Sequence, residues 1–336
     1  MMSLNGYYKH LYGWLGQKIY GVSLNVDIIN SCVLRCVTCA VGSITKKRNG
    51  AMMSIEMFRA ILDKAQSENR VRKVQFYAYS EAGMHPDLHL FVEECRKRGI
   101  RSNLSTMLQS TRCDWAKVVE ARPTELRISF PGWKKMRERQ NGASPMIFDS
   151  NMEYMMTLPR YPETLWCSAF HLYNDNADEI PKVEQWAKER NLKLVVLPAI
   201  FMVLEKTIDG GYTERDLETI SHLLEHPEVS MARMRKSPEW CDQFKQITID
   251  AEGSVYLCQL VYEDRFKLVK FLDHPMRDIQ RMIKEHEFCG KCMAKGGNVY
   301  QSCFAEFDHK DPIAEADRKR RLDPDYTPLS NLEHLP

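Results

Sequence analysis

Three cysteines near the N-terminus form the feature that most constrains this chain. Cys32, Cys36 and Cys39 have C-x3-C-x2-C spacing and directly follow an apolar, β-branched run at residues 24–29. That run predicts a strand, so the cysteines fall on the loop at its C-terminal end. Three thiolates on one short loop can hold three corners of an iron–sulfur cubane and leave one iron open for chemistry. A zinc site or unrelated core thiols are the alternatives.

Strand and helix patterns alternate after the first cysteines. Ser54 is a good N-cap, and apolar residues recur at helical spacing after it, beginning with Ile55 and Phe58. The predicted strands are residues 24–29, 74–79, 103–107, 126–130, 165–172 and 192–197. Alternation of this kind favours an α/β fold with a parallel sheet and right-handed crossovers. Six units rather than eight predict a partial (β/α)6 TIM-like barrel, whose active site lies at the C-terminal ends of the strands.

A second set of cysteines lies near the C-terminus. Cys241 and Cys258 flank a predicted hairpin of residues 247–250 and 255–257, which turns at Gly253. A predicted helix at 276–286 then leads to the C-x2-C pair Cys289 and Cys292. The pattern predicts a small hairpin–helix module that binds metal. Taken alone, it suits tetrahedral zinc as well as a cluster.

Composition and charge indicate the compartment in which the protein works and the kinds of partner that it does not bind. The 336 residues carry a formal net charge of +2, which indicates neither nucleic acid nor an anionic membrane surface as a partner. We find neither a secretory signal nor an apolar stretch long enough for a membrane span. Eleven cysteines without an export signal indicate metal ligation in a reducing, cytoplasmic compartment rather than a disulfide framework.

The first cysteine loop resembles that of the radical S-adenosylmethionine (SAM) enzymes. The resemblance covers residues 24–200 and implies that Cys32, Cys36 and Cys39 hold a [4Fe–4S] cluster whose fourth iron is chelated by SAM. It also implies that a reductant such as flavodoxin or ferredoxin supplies the electron that cleaves SAM to a 5′-deoxyadenosyl radical.

The C-terminal part is similar to the twitch module of this family, the shorter form of its SPASM extension. That similarity implies a second, auxiliary [4Fe–4S] cluster. Its ligands would be Cys241, Cys258, Cys289 and Cys292. A full SPASM module would need further cysteines for two clusters, and only Cys303 follows the C-x2-C pair.

The resemblance also suggests SAM-binding residues at the strand ends. Ser80 and Glu81 stand where relatives carry a Gly-Gly-Glu-Pro segment, so Glu81 is expected to bind the SAM ammonium group. The glycine and proline that flank this acid in relatives are missing here. Ser105 and Thr106 resemble a ribose-facing segment, and Ser129 a second ribose or carboxylate contact. Turn or cap roles are the alternatives for these hydroxyls.

Two residues are candidates for catalysis. His171 ends the fifth predicted strand and could contact substrate or adenine, or be a satisfied core histidine. Cys303 could donate a hydrogen atom to a substrate radical, replace a cluster ligand, or be inert. Asp175 and Glu205 are, with His171, the candidates for a general base. Arg127 lies within the fourth strand and has no assigned role.

These features predict an N-terminal extension at 1–22, the radical SAM barrel at 23–210, the linker helix and auxiliary module at 211–310, and a polar tail at 311–336. The expected reaction is a net oxidation of a small polar substrate, such as a sugar, cyclitol or nucleotide-like molecule. The auxiliary cluster would accept the second electron. Crosslinking or epimerisation of a peptide, and a zinc-stabilised binding protein, are the alternatives.

Overall fold

A computed structural model describes residues 21–44, 49–69, 71–110, 112–233 and 241–302. It is a mixed α/β structure built around one large, mostly parallel sheet of nine strands. In chain order the strands are β1 (Val22–Val26), β2 (Val71–Gln75), β3 (Arg101–Thr106), β4 (Glu125–Phe130), β5 (Leu165–Leu172), β6 (Lys193–Pro198), β7 (Gln246–Ile249), β8 (Ser254–Tyr256) and β9 (Lys267–Lys270).

The first six strands lie side by side in chain order. Each pairs in parallel with the next, so β1 and β6 lie at opposite ends of this row. The C-terminal ends of all six strands therefore meet at one edge of the sheet. The cysteine loop follows β1 at that edge, as the sequence predicted.

Helices fill the connections. Those of six residues or more are α1 (Ile55–Glu68), α2 (Leu88–Lys97), α3 (Trp115–Glu120), α4 (Pro145–Thr157), α5 (Ile180–Glu189), α6 (Leu204–Asp209), α7 (Glu214–Ser221), α8 (Pro227–Arg233), α9 (Met276–Glu285), α10 (Glu287–Lys295) and α11 (Gly297–Ser302). The Ser54 hydroxyl accepts a hydrogen bond from the Met57 N–H and caps α1, which confirms the predicted start. Phe58 of α1 packs against Phe76 and Phe91 in the core.

The C-terminal strands extend the same sheet. β7 pairs in parallel with β1, for example Asn25 with Thr248, although more than 200 residues separate them. β8 and β9 continue antiparallel beyond it, and Gly253 has φ of +76° in the β7–β8 turn. The predicted hairpin is thus present. The sequence did not indicate β9, whose two end residues are exposed lysines.

The first two predicted strands extended too far. β1 ends at Val26 and β2 at Gln75, whereas the sequence placed their ends at residues 29 and 79. Beyond β2, the Asp27 carboxylate accepts hydrogen bonds from the backbone N–H groups of Ala78 and Tyr79. A side chain here takes the donors that a neighbouring strand would otherwise use.

Several predictions concern parts of the chain outside the described residues: most of the extension at 1–22, the tail at 311–336 and Cys303. Within the described ranges, the helices are too short or too polar for any of them to cross a bilayer.

Candidate functional site

Backbone hydrogen bonds fix the first cysteine loop at the edge of the sheet. Residues Arg35–Cys36 pair with Gln140–Asn141 as a two-residue antiparallel ladder, and Cys39 precedes the short helix Ala40–Ser43. The Arg35 guanidinium donates to the carbonyls of Cys32 and Leu34, each at 2.9 Å. A Cβ on Gly42 would stand 2.1 Å from the Cys36 carbonyl oxygen, so the helix can approach the loop this closely only with glycine there.

The three thiols of this loop lie close enough to influence one another. Burial, and then repulsion from Cys39 and Cys32, raise the pKa of the Cys36 thiol well above its usual value; Glu81 contributes in the same direction. Metal binding requires the thiolate form, and the positive charge of a bound metal group would offset the repulsion between the thiolates. The donor set therefore fits a positively charged metal group.

The four C-terminal cysteines surround one small void of about 20 Å³. Cys241 precedes a short turn before β7, Cys258 follows β8, and Cys289 and Cys292 lie on α10. A Cβ on Gly297 would stand 2.7 Å from the Cys292 sulfur, so glycine makes room for this thiol.

Electrostatics also link the members of the C-terminal set. Burial, followed by repulsion from Cys258, raises the pKa of Cys289 to about 12. For Cys292, burial again dominates, with Cys258, Cys241 and Cys289 adding to the rise in pKa. Four thiols around one void, three of which add to the rise in the pKa of the fourth, fit a cluster with four cysteine ligands.

No three His, Cys, Asp or Glu side chains of the described residues converge tightly enough to hold a single metal ion. The thiolates of one zinc lie about 2.3 Å from the ion, whereas a cubane separates its ligands by irons and sulfides. The absence of such a group among the described residues thus concerns sites for one ion, whereas a four-iron cluster needs its ligands further apart.

Carboxylates brace the predicted SAM-binding segment after β2. The Ser80 hydroxyl donates to Asp27 at 2.6 Å. Glu81, only 3% exposed, accepts from the N–H groups of Gly83 and Met107 at 3.1 and 3.0 Å. Burial raises the pKa of Glu81, and these bonds together with one from Thr106 oppose the rise. Glu81 thereby connects the ends of β2 and β3 beside the cysteine loop.

A cavity of about 480 Å³ extends from the C-terminal ends of strands β3–β6 to Arg72 and Gln246, which lie near the N-terminal ends of β2 and β7. Its walls include Ser105, Ser129 and His171, three of the residues that the sequence singled out. The two serine hydroxyls are 3.1 Å apart. Thr38 of the first cysteine loop and Cys241 of the second set line the same cavity, which therefore extends from one set towards the other.

His171 is neutral in this setting. Burial and the positive charge of Arg127 lower the pKa of its imidazole to about 4. The same burial and positive charge oppose protonation of the ring, so His171 is a weak base here and is better suited to a hydrogen bond with a bound molecule than to the base role weighed for it.

Other candidate residues do not line this cavity. Thr106 is 2% exposed and bonds within the Glu81 network. Asp175 forms ion pairs with Lys135 and Arg139 in a separate cavity, and those cations help to lower the pKa of its carboxyl. Glu205 accepts from the Tyr262 N–H at 2.7 Å and supports the loop after Cys258.

The structure also reveals three residues that the sequence reading left without a role. Asp27 holds the segment after β2, and Arg127 reaches the cavity. The hydroxyl of Tyr79 lies within hydrogen-bond distance of the carbonyls of Cys258 and Val261, which share its one proton, so it joins the segment after β2 to the second cysteine set. The alternation of β4 does place Arg127 on the same face as Ser129, and that signal was available.

Comparisons with known proteins support the fold. No protein-family model and no curated protein sequence matches the chain. Among solved structures, the radical SAM enzyme anSMEcpe with bound AdoMet has a TM-score of 0.54 at 18% identity, over 79% of each chain. The same enzyme with AdoMet and the Cp18Cys peptide also scores 0.54, at 17% identity, over 89% of this chain and 95% of that one.

A second enzyme gives a similar result. Streptococcus suis SuiB bound to its precursor peptide SuiA has a TM-score of 0.53 at 13% identity, over 93% of this chain and 74% of SuiB. At such identities the likeness concerns the fold, and this chain has the fold of radical SAM enzymes.

Proposed function

We propose that the protein is a radical SAM enzyme that removes a hydrogen atom from a small polar substrate and oxidises it. The observation that carries the proposal is the placement of the C-x3-C-x2-C loop. It follows the first strand of a radical SAM fold, and Thr38 within it lines a cavity that extends to the second cysteine set.

Cys32, Cys36 and Cys39 would hold a [4Fe–4S] cluster, with SAM at its fourth iron. When bound, this cluster supplies the electron that cleaves SAM to methionine and a 5′-deoxyadenosyl radical. The chain provides orientation. Glu81 lies beside the loop and is braced by backbone N–H groups, and Ser105 and Ser129 offer hydroxyls towards the cavity.

The second cysteine set would hold an auxiliary [4Fe–4S] cluster and accept an electron during substrate oxidation. Its four-cysteine donor set favours electron transfer, because no ligand position remains for substrate. Cys241 lines both the small void and the large cavity, so this cluster would be adjacent to the substrate. His171 is the one of the three proposed bases that lines the cavity, and its lowered pKa makes it a weak base that would hydrogen-bond the substrate.

The cavity size favours a small molecule. About 480 Å³ lies within the range typical of small-molecule sites, roughly 300–1,000 Å³. A peptide substrate is the second candidate, since structures of anSMEcpe and SuiB with bound peptides share this fold.

Anaerobic reconstitution with iron and sulfide, followed by dithionite and SAM, tests the proposal. We expect about eight irons per chain and release of 5′-deoxyadenosine. Cys36→Ala should abolish the release and leave about four irons. Cys95→Ala is the control, because this fully buried thiol of α2 belongs to neither set. Zinc without iron, and no SAM cleavage, would instead favour the zinc-stabilised binding protein.

A further inference from the structure

The charge of the large cavity carries information about the substrate. Three cationic residues line it, Arg72, Lys73 and Arg127, and none of the lining residues among those described is an aspartate or glutamate. We propose that the substrate carries an anionic group, a carboxylate or a phosphate, that binds at Arg127. This inference rests on the proposed radical enzyme and names the substrate class of the same site.

Arg127 lies deep in the cavity. Its side chain is 16% exposed, and it precedes Ser129 by two residues on β4. Alternate residues of a strand share a face, and two residues span about 7 Å. Arg127 is therefore one layer further into the sheet than the strand-end hydroxyls expected to contact SAM. In such a partly desolvated place a charge acts more strongly than at the surface.

One carboxylate partly balances this charge and orients it. Glu125 Oε1 accepts from Arg127 Nη2 at 2.6 Å and from Nε at 2.9 Å. Its other oxygen accepts from the Asn103 amide at 2.9 Å. Glu125 does not itself line the cavity, so the permanently charged side chains that do line it, among the described residues, are all cationic.

The chemistry of arginine favours a carboxylate or phosphate. A guanidinium has five N–H donors in a plane that matches the oxygens of either group, and Glu125 takes two of them at a single oxygen. The positive charge of Arg127 also reaches His171, since it contributes to the lowered pKa of that imidazole. His171 is thus neutral near pH 7, and the cavity draws its positive charge from the arginines and lysine.

Glutamine side chains that line the cavity can hydrogen-bond the uncharged polar groups of a substrate. Gln75, Gln243, Gln246 and Gln259 line the cavity, and each amide can both donate and accept hydrogen bonds. Hydroxyl groups on the substrate could bind there while its anionic end binds Arg127. A hydroxylated anion fits this wall better than a neutral or cationic molecule.

Thermal unfolding of the reconstituted full chain tests the inference. SAM is kept saturating, so that its own carboxylate already occupies its site, and ionic strength is held constant. Three probes are compared. Glucose 6-phosphate carries a phosphate, gluconate carries a carboxylate, and glucose carries no charge. We expect a saturable rise in melting temperature with one or both anionic probes and none with glucose. Which anion protects identifies the group.

A charge-matched double variant locates the binding. Arg127→Gln combined with Glu125→Gln removes the ion pair without leaving a buried, unpaired carboxylate. We expect the half-saturating concentration of the anionic probe to rise at least ten-fold. Arg122→Gln is the control, because Arg122 pairs with Glu163 at an exposed site outside the cavity; it should bind the probe as the unaltered protein does.

Three results would overturn the inference: protection by glucose as strong as by the anions, no protection by either anion, or unchanged binding in the double variant. Release of 5′-deoxyadenosine is measured in the same samples. Its absence would contradict the radical enzyme itself, whereas release without anion binding would contradict only the substrate class.

Discussion

The two cysteine sets differ in how the chain brings their members together. Cys32, Cys36 and Cys39 come from one short loop, and neighbouring backbone bonds hold them there. The C-terminal four come from separate elements, and they meet because α10 and the residues that follow β8 line the same void. The first set is local in sequence, whereas the second depends on tertiary structure.

Their surroundings differ as well. All three thiols of the first set are half-buried at the edge of the sheet. In the second set Cys241 and Cys289 are also half-buried, but Cys258 and Cys292 are buried, and Leu257, Ile283 and Phe288 line the same void. Under the proposed function, the first set would serve an open, reactive site, and the second would serve electron transfer and also stabilise the C-terminal part.

The largest effect that separates the two sets should come from Cys292→Ala. We expect about four irons per chain to remain and SAM cleavage to continue, because the first loop is intact. The free energy of unfolding should fall by roughly 3 kcal/mol or more, since a bound metal group contributes folding energy. Iron analysis, 5′-deoxyadenosine release and denaturant unfolding measure this. Loss of SAM cleavage would show that the sets are not separable.

Gly42→Ala should affect the first set alone. The added Cβ would meet the Cys36 carbonyl oxygen at 2.1 Å and the Arg35 carbonyl at 2.8 Å, and backbone atoms cannot rotate away. We expect loss of about four irons and most SAM cleavage, with the auxiliary cluster retained. Gly211→Ala is the control, because a Cβ there meets nothing within 4 Å. A variant with full SAM cleavage would contradict the close approach of helix and loop.

The same contrast explains what the sequence could reveal. The cysteine spacing and the β-branched runs are local patterns, so the first loop, the six strands and the hairpin were accessible from them. The pairing of β7 with β1 was not, because no local pattern states which strand edge receives a distant strand. Asp27 is a further example, since its effect depends on N–H groups more than 50 residues away.

Gly297→Ala should weaken the second set by a smaller amount. Its Cβ would stand 2.7 Å from the Cys292 sulfur, but also 3.2 Å from the flexible ends of Ile208 and Leu204, which can shift. We expect partial loss of auxiliary-cluster iron and unchanged SAM cleavage. Gly290→Ala is a matched control, since it lies between Cys289 and Cys292 and its Cβ meets nothing within 4 Å. Equal iron loss in both variants would contradict a role for space at Gly297.

The smallest expected effect concerns Tyr79, which joins the two regions. Its backbone N–H donates to Asp27 at 2.9 Å, and its hydroxyl lies within hydrogen-bond distance of the carbonyls of Cys258 and Val261. Its ring packs against Tyr262 with centroids 4.9 Å apart. Tyr79→Phe keeps the ring and removes the hydroxyl. Because two buried carbonyls then lose the one proton that they share, the free energy of unfolding should fall by about 1–3 kcal/mol.

The same variant should distinguish the clusters spectroscopically. The Leu260 N–H lies 3.4 Å from the Cys258 sulfur, and hydrogen bonds to cluster sulfurs help to set the reduction potential. Loosening the loop should weaken this bond and lower the potential of the auxiliary cluster, while SAM binding at the first cluster stays unchanged. Redox titration followed by EPR measures both, with Tyr154→Phe, an exposed tyrosine, as control. A shift in the potential of the SAM-binding cluster instead would contradict this expectation. It would mean that the hydroxyl of Tyr79 holds the segment after β2 in place rather than the loop after Cys258.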